Sequence, residues 1–237
     1  MLMSKNGQKG IFRFQHGYAN VNHTALLNHL IKLYGFCTYL EIGVRRRSSN
    51  YNSVAVEHKI VVDPDPTAEA DYVTDSDTFF HSICDQQFDL IYIDGSHLAE
   101  QVEKDIENSL KVLHERGVIL MHDCNPPTKF HAREEYEVNG TRPAWNGTVW
   151  KAFAKFRKTR SDLEMYVIDT DWGCGFIRRG SQSTINHCIA SYEDLENNRK
   201  EILNLISVEQ FLAAHPVSWK AKIKTKIREI LSRSKRH

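Results

Sequence analysis

The chain has 237 residues, a formal net charge of +1 and 41% hydrophobic residues, enough for one globular domain, or one with an appendage, that buries a full core. No apolar run is long enough to span a bilayer, and the composition is neither fibrous nor disordered. The five cysteines show no CxxC pair and no metal-ligand spacing; with an opening MLMSKNGQKG that lacks a signal-like apolar core, they predict a reducing cytoplasm.

In that setting the Asn-x-Thr triplets at Asn22, Asn139 and Asn146 are chance matches rather than glycan sites. Residues 1–21 hold no sustained period and read as an irregular arm. Asn22-His23-Thr24 supplies N-cap chemistry for a helix over 24–34, with Leu26, Leu27, Leu30, Ile31 and Tyr34 on one face and Gly35 as its stop. Thr38–Val44 reads as the first central strand, followed by a helix over about 49–57. Lys59–Val62 is a buried strand that the prolines of Asp63-Pro64-Asp65-Pro66 stop. Asp71–Thr74 is a third, short strand, and Asp75-Ser76-Asp77 opens a helix through about Ile83.

Phe88–Ile93 is a buried strand ending on Asp94-Gly95-Ser96-His97. A helix over Leu98–Glu115 puts Val102, Ile106, Leu110 and Leu113 on one stripe, and Val118–Met121 is a further buried strand ending on His122-Asp123. Residues 124–147, with three prolines and two Asn-Gly pairs, form a long loop over the crevice, the kind that carries substrate contacts or a lid. Thr148–Arg157 resumes as a helix. Glu164–Asp169 and Gly173–Arg178 are strands joined by Thr170-Asp171-Trp172, a connection short enough to make them antiparallel neighbours. Helices follow at Tyr192–Ile206 and Val208–Ala214. Strands alternating with helices predict a doubly wound α/β sheet with helices on both faces. Residues 1–180 form the domain and 181–237 a helical extension.

The charge is uneven. Lys220–His237 hold eight Lys or Arg against one Glu, a net of +7, so residues 1–219 carry −6. The acidic body and the absence of a reading motif argue against nucleic acid. The tail aligns Ile223, Ile227, Ile230 and Leu231 among its cations, as for peripheral contact with an anionic membrane at the inner face, or for packing in a homo-oligomer.

In an open parallel sheet the ligand crevice lies outside the carboxyl ends of the strands. Glu41 and Gly43 border it, with an acid suited to a ligand amino group. Asp63 stands where an acid accepts from a ribose diol. These features do not separate one nucleoside cofactor from another. Asp94 and Asp123 end adjacent strands, so their carboxylates converge within reach of one divalent cation, and oxygen ligands suit magnesium. His97 is placed to take the proton from a hydroxyl nucleophile, because its pKa lies near working pH. His122 is a second candidate. Trp145, Trp150 and Trp172 are candidates for an apolar or sugar-stacking wall.

Tyr39-Leu-Glu-Ile-Gly-Val44, Val62-Asp-Pro-Asp-Pro66, Phe88–His97, His122-Asp-Cys-Asn-Pro-Pro127, Asn146-Gly-Thr-Val-Trp-Lys151 and Asp171-Trp-Gly-Cys-Gly175 together resemble the class I S-adenosylmethionine-dependent methyltransferases. The branch most similar is that of sugar and polysaccharide biosynthesis, related to macrolide-sugar O-methyltransferases. The resemblance covers about residues 20–180. It implies a seven-stranded sheet with an antiparallel last strand. It implies that Glu41 and Gly43 border the methionine part of S-adenosylmethionine, that Asp63 holds the ribose, and that the Thr74–Asp77 segment, with Asp75, Ser76 and Asp77, flanks the adenine; Asp94 is a further cofactor-binding candidate. In cation-dependent relatives the two strand-end acids are metal ligands and a base stands three residues after the first, which maps to Asp94, Asp123 and His97. The family's third ligand position is Cys124 here, with Asn125 beside it, and Arg46-Arg47 replaces a glycine. Two other readings are an NAD-dependent sugar dehydrogenase or epimerase, which lacks the glycine fingerprint and a Tyr-x-x-x-Lys pair, and a non-catalytic cofactor-binding interaction module.

Overall fold

The computed structural model describes residues 21–83 and 86–217. Most of the N-terminal arm and the basic tail 220–237 lie outside the described residues. Among the described residues six strands pair into one sheet: β1 (Thr38–Ile42), β2 (His58–Val62), β3 (Phe88–Ile93), β4 (Leu113–Met121), β5 (Leu163–Ile168) and β6 (Cys174–Arg179). Their order is β2-β1-β3-β4-β6-β5. β2, β1, β3 and β4 run parallel, and β6 is antiparallel to both β4 and β5. The seventh position, outside β2, is reduced to one parallel bridge from Val62 to Tyr72. This is the seven-position sheet with an inserted antiparallel last strand.

Strand alternation sorts the core into two layers. Leu40, Ile42, Ile91, Ile93, Ile119 and Met121 face one side. There they meet α2 (Ser76–Ser82), α3 (Ala99–Val112), α4 (Val149–Thr159) and α5 (Tyr192–Leu203). Tyr39, Leu90, Tyr92, Val118 and Leu120 face the other, against α1 (His23–Tyr34) and α6 (Val208–Ala214). Both faces are therefore covered, which is why the central strands read as continuous apolar runs. Leu195, Ile202, Val208 and Phe211 bring the C-terminal helices into the same core. Among the described residues no helix is long and apolar enough to cross a membrane.

Local chemistry sets most ends as expected. Asn22 caps α1, accepting from the Ala25 amide at 3.0 Å, and Gly35 closes it at φ 73°. Asp75 caps α2. Three expectations need correction. The helix expected over 49–57 is only a 3-10 turn at Tyr51–Ser53. Asn28 of α1 binds the Ala55 amide and the Ser53 carbonyl, so these backbone groups are taken by a side chain rather than a helix ladder. The helix expected to reach Glu115 stops at Val112, because β4 begins at Leu113 and pairs with Phe88. The strand at Asp71–Thr74 shrinks to the Tyr72 bridge, since Asp71 turns its carboxylate onto the Val61 amide.

Candidate active site

β1 connects outward to β2 in one direction and to β3 and β4 in the other, so the crevice opens at the carboxyl ends of β1 and β3. The strand ends touch there. A Cβ on Gly43, at φ 85°, would stand 2.4 Å from Gly95 Cα, so only glycine fits this position.

On the β1 side, Glu41 is buried and accepts from the Tyr39 hydroxyl at 2.7 Å and Asn50 Nδ2 at 3.1 Å. Burial pushes its carboxyl up to about 7. Asp63 turns inward: its Oδ2 accepts from the Val44 and Arg45 amides at 2.9 Å and its Oδ1 from the Asp65 amide at 2.9 Å. Three of its roughly four acceptor positions are thus spent on shaping the turn after β1, leaving one for a ligand. Asp75 is engaged by Thr78, and the Ser76 hydroxyl donates to buried Asp105. Asp77 lies 3.5 Å from Lys104 Nζ. This segment shapes the rim through its own hydrogen bonds.

On the β3–β4 side, the structure brings Asp94, His97, His122 and Asp123 together. His97 Nε2 lies 3.4 Å from Asp123 Oδ2 and 3.8 Å from Asp94 Oδ1, and His122 Nδ1 lies 3.4 Å from each of those oxygens. Burial alone would lower the pKa of His97, yet Asp94 and Asp123 outweigh it and hold the imidazole above its ordinary value. The same opposition, with Asp123 and Asp94 winning over burial, raises His122 far more. Burial opposes ionisation of Asp94 too, but His122 and His97 hold its carboxyl well below the usual range. Asp123 sits at φ 60°, a left-handed conformation uncommon for a non-glycine residue.

The long loop folds back onto His97. Trp145 stacks on its ring with centroids 4.9 Å apart, and the Trp145 carbonyl lies 3.1 Å from Nδ1. A carbonyl only accepts, so Nδ1 carries the hydrogen and Nε2 is turned to the carboxylates. The Thr148 amide donates to the His97 carbonyl at 2.7 Å, and the Thr148 hydroxyl accepts from the Ala99 amide. Asn146 is fully buried and donates to Asp123 at 2.6 Å, so no glycan could reach it. Gly147 sits against His97: a Cβ there would stand 2.1 Å from the His97 carbonyl oxygen, at φ 64°. Gly147→Ala should therefore cost on the order of 1–3 kcal/mol in stability and displace His97, checked by thermal melts alongside turnover.

Two residues without an assigned role join the cluster. Asp171, in the β5–β6 turn, accepts from His23 Nδ1 at 2.6 Å and from the His23 amide at 2.9 Å. Its Oδ1 lies 3.6 Å from His122 Nε2. Since β5 is parallel to the central strands, its turn emerges at the crevice edge, a signal the sequence did contain. His23, 148 residues away, carried none.

Cys124 does not join them. Its thiol is fully buried, pushed up to about 12 by that burial. Asn125 is spent on Asp169 and on the Arg199 guanidinium. Of the three tryptophans, for at least one of which core packing is the expected role, Trp150 is a core residue of α4 at 1% exposure, whereas Trp145 and Trp172 are half-buried.

No curated protein matches this sequence. A family model described as a methyltransferase domain matches residues 27–124. An SAH-bound methyltransferase from Podospora anserina is similar in structure at TM-score 0.50 and 13% identity, covering 75% of this chain and 89% of that one. An O-methyltransferase from Bacillus cereus, solved with SAH, gives TM-score 0.44 and 14% identity over 75% and 91%. The Podospora likeness speaks for the fold, and the family match runs from within α1 to the residue after Asp123. The fold is that of the methyltransferases, and the methyltransferase-domain model matches residues 27–124 of this chain.

Proposed function

We propose that this protein is an S-adenosylmethionine-dependent O-methyltransferase that acts on a hydroxyl of a sugar, glycan or glycosylated metabolite. The observation that carries the reading is the clamped His97, whose Nδ1 is committed to the Trp145 carbonyl while Nε2 faces Asp94 and Asp123. Glu41 is the acid for the methionine ammonium, and Asp63 keeps one acceptor position for the ribose. An imidazole held above its ordinary pKa is a stronger base once its proton has left, which suits abstraction from a weakly acidic hydroxyl. Half-buried Trp145 and Trp172 supply flat faces of the kind that pack against sugar rings.

The residues fit a divalent cation. Asp94, His97 and Asp123 offer ligand atoms within 4.8 Å of one another. Asp94 and Asp123 would hold magnesium, with waters completing its shell; the buried thiol of Cys124 is no ligand for it. Such an ion supplies polarisation of the acceptor oxygen. Asn146 and His122 orient Asp123, and His97 takes the proton at Nε2.

The test is transfer of labelled methyl from S-adenosylmethionine across nucleotide-sugars and glycan fragments, with magnesium or with chelator. Transfer to a sugar hydroxyl that chelator suppresses is the expected result. Transfer indifferent to chelator removes the cation, and transfer only to non-sugar hydroxyls removes the acceptor class. The methyltransferase domain match weighs against the dehydrogenase reading; bound cofactor with no turnover on any glycan acceptor would favour the interaction module.

A further inference from the structure

Beyond the Asp94, His97 and Asp123 donors lies a second set, sharing no residue with them: His23, His122 and Asp171, whose ligand atoms also lie within 4.8 Å of one another. We propose that His23, His122 and Asp171 form a binding site for a first-row divalent transition ion of the zinc type, separate from any magnesium held by the strand-end acids.

His122 supplies the first reason. Its Nδ1 lies 3.4 Å from both Asp94 Oδ1 and Asp123 Oδ2, which fixes the ring hydrogen on that side. Its Nε2 is buried and makes no hydrogen bond within the protein, with Asp171 Oδ1 at 3.6 Å. A ring that turns one N–H to carboxylates and leaves the other nitrogen without a partner is the arrangement of a metal-ligating histidine with its supporting carboxylate, the ion displacing the proton on Nε2.

The second reason is the placement of His23 and Asp171. The Thr170 hydroxyl donates to the Val21 carbonyl at 2.7 Å, and the His23 amide donates to Asp171 Oδ2 at 2.9 Å, so the start of α1 is tied to the β5–β6 turn. Tyr92 stacks on His23 with ring centroids 5.3 Å apart and 16° between planes, and the His23 and His122 rings meet edge-on at 4.9 Å. Three rings and a carboxylate are thus oriented by contacts other than their own. Asp171 and Trp172 take φ of 49° and 65°, a costly turn that holds the carboxylate at the crevice.

The donor chemistry selects the ion. Two imidazoles and one carboxylate suit zinc, iron, cobalt or nickel, while magnesium prefers oxygen. His23 Nδ1 and Asp171 Oδ2 now share a hydrogen at 2.6 Å. Two ligands of a tetrahedral zinc stand roughly 3.3 Å apart, so the ion replaces that proton and parts the pair by several tenths of an ångström. Three protein ligands leave a position open toward the crevice, where a substrate oxygen or water completes the shell.

The test uses the full chain, stripped with chelator and dialysed, with neither cofactor nor acceptor present. Cobalt(II) is titrated as the spectroscopic probe and zinc by calorimetry. One equivalent should bind with the intense visible absorption of a low-coordinate cobalt site and survive a large excess of magnesium. His23→Gln and Asp171→Asn should each weaken binding by more than about tenfold, the least expected for loss of a ligand. His97→Ala should keep it, and thermal melts confirm that each variant is folded. If the chain binds no cobalt, or binds it equally in His23→Gln and Asp171→Asn, the proposal fails. If magnesium displaces the cobalt or His97→Ala abolishes it, the ion belongs to the strand-end acids and the proposal fails too. Because nothing in the assay turns over, the outcome is independent of the proposed methyl transfer.

Discussion

His97→Ala is expected to lower kcat for methyl transfer by about 10²–10⁴, the usual contribution of a positioned general base, with affinity for S-adenosylmethionine unchanged. The side chain faces Asp94 and Asp123 rather than the Glu41 pocket, so its loss falls on the transition state, lowering kcat and kcat/KM together. Steady-state kinetics with calorimetric titration of the cofactor separates the two. The backbone clamp persists in the variant, because the Thr148 amide binds the His97 carbonyl and not its ring. A variant that turns over at the wild-type rate would show that the proton leaves by another route. His122 would then be the group to examine, with its ring 3.4 Å from the same carboxylates.

Glu41→Gln is expected to abolish tight binding of S-adenosylmethionine while making the free protein more stable above neutral pH. Burial raises this carboxyl from 4.5 to about 7. The folded state therefore holds the proton more tightly than the unfolded chain. Stability falls as pH climbs from about 4.5 through about 7, and the full cost is present above that range. A shift of this size amounts to about 3 kcal/mol, which in a chain of this length is a rise of several degrees in Tm for the variant at pH 8. Below about pH 4 the two proteins should melt nearly alike, since Glu41 is then mostly protonated in both states. Cofactor affinity of the wild type should rise with pH across the same window, because the carboxylate that meets the ammonium is the ionised form. Melts at pH 4, 6 and 8 and calorimetry at pH 6 and 8 check both directions. A wild-type Tm difference from the variant that does not change with pH would show that Glu41 is ionised throughout.

Which parts were legible in the sequence follows from which interactions are local. Asn22 and Gly35 around α1, Asp75 before α2, and the run Phe88–Ile93 were readable because caps and strand periodicity depend on neighbours a few residues away. The short Thr170-Asp171-Trp172 turn fixed β5 and β6 as antiparallel partners. The segment 49–57 is a 3-10 turn and not the expected helix, because a distant Asn28 takes its backbone groups. Which tryptophan packs in the core was not legible, because wall and core indoles look alike in sequence; packing puts Trp150 on the buried face of α4.

By itself the sequence determined the alternation of strands and helices and the two strand ends that deliver Asp94, His97 and Asp123 to one crevice. Those residues follow apolar runs whose direction is set by the parallel topology, so their convergence needs no long-range detail. Only the tertiary structure decided what surrounds them. The return of Trp145–Thr148 onto His97, the burial of Cys124, and the meeting of His23 with Asp171 across 148 residues depend on loop closure and packing. No local period encodes such contacts, because each joins segments whose separation along the chain is bridged by the whole fold.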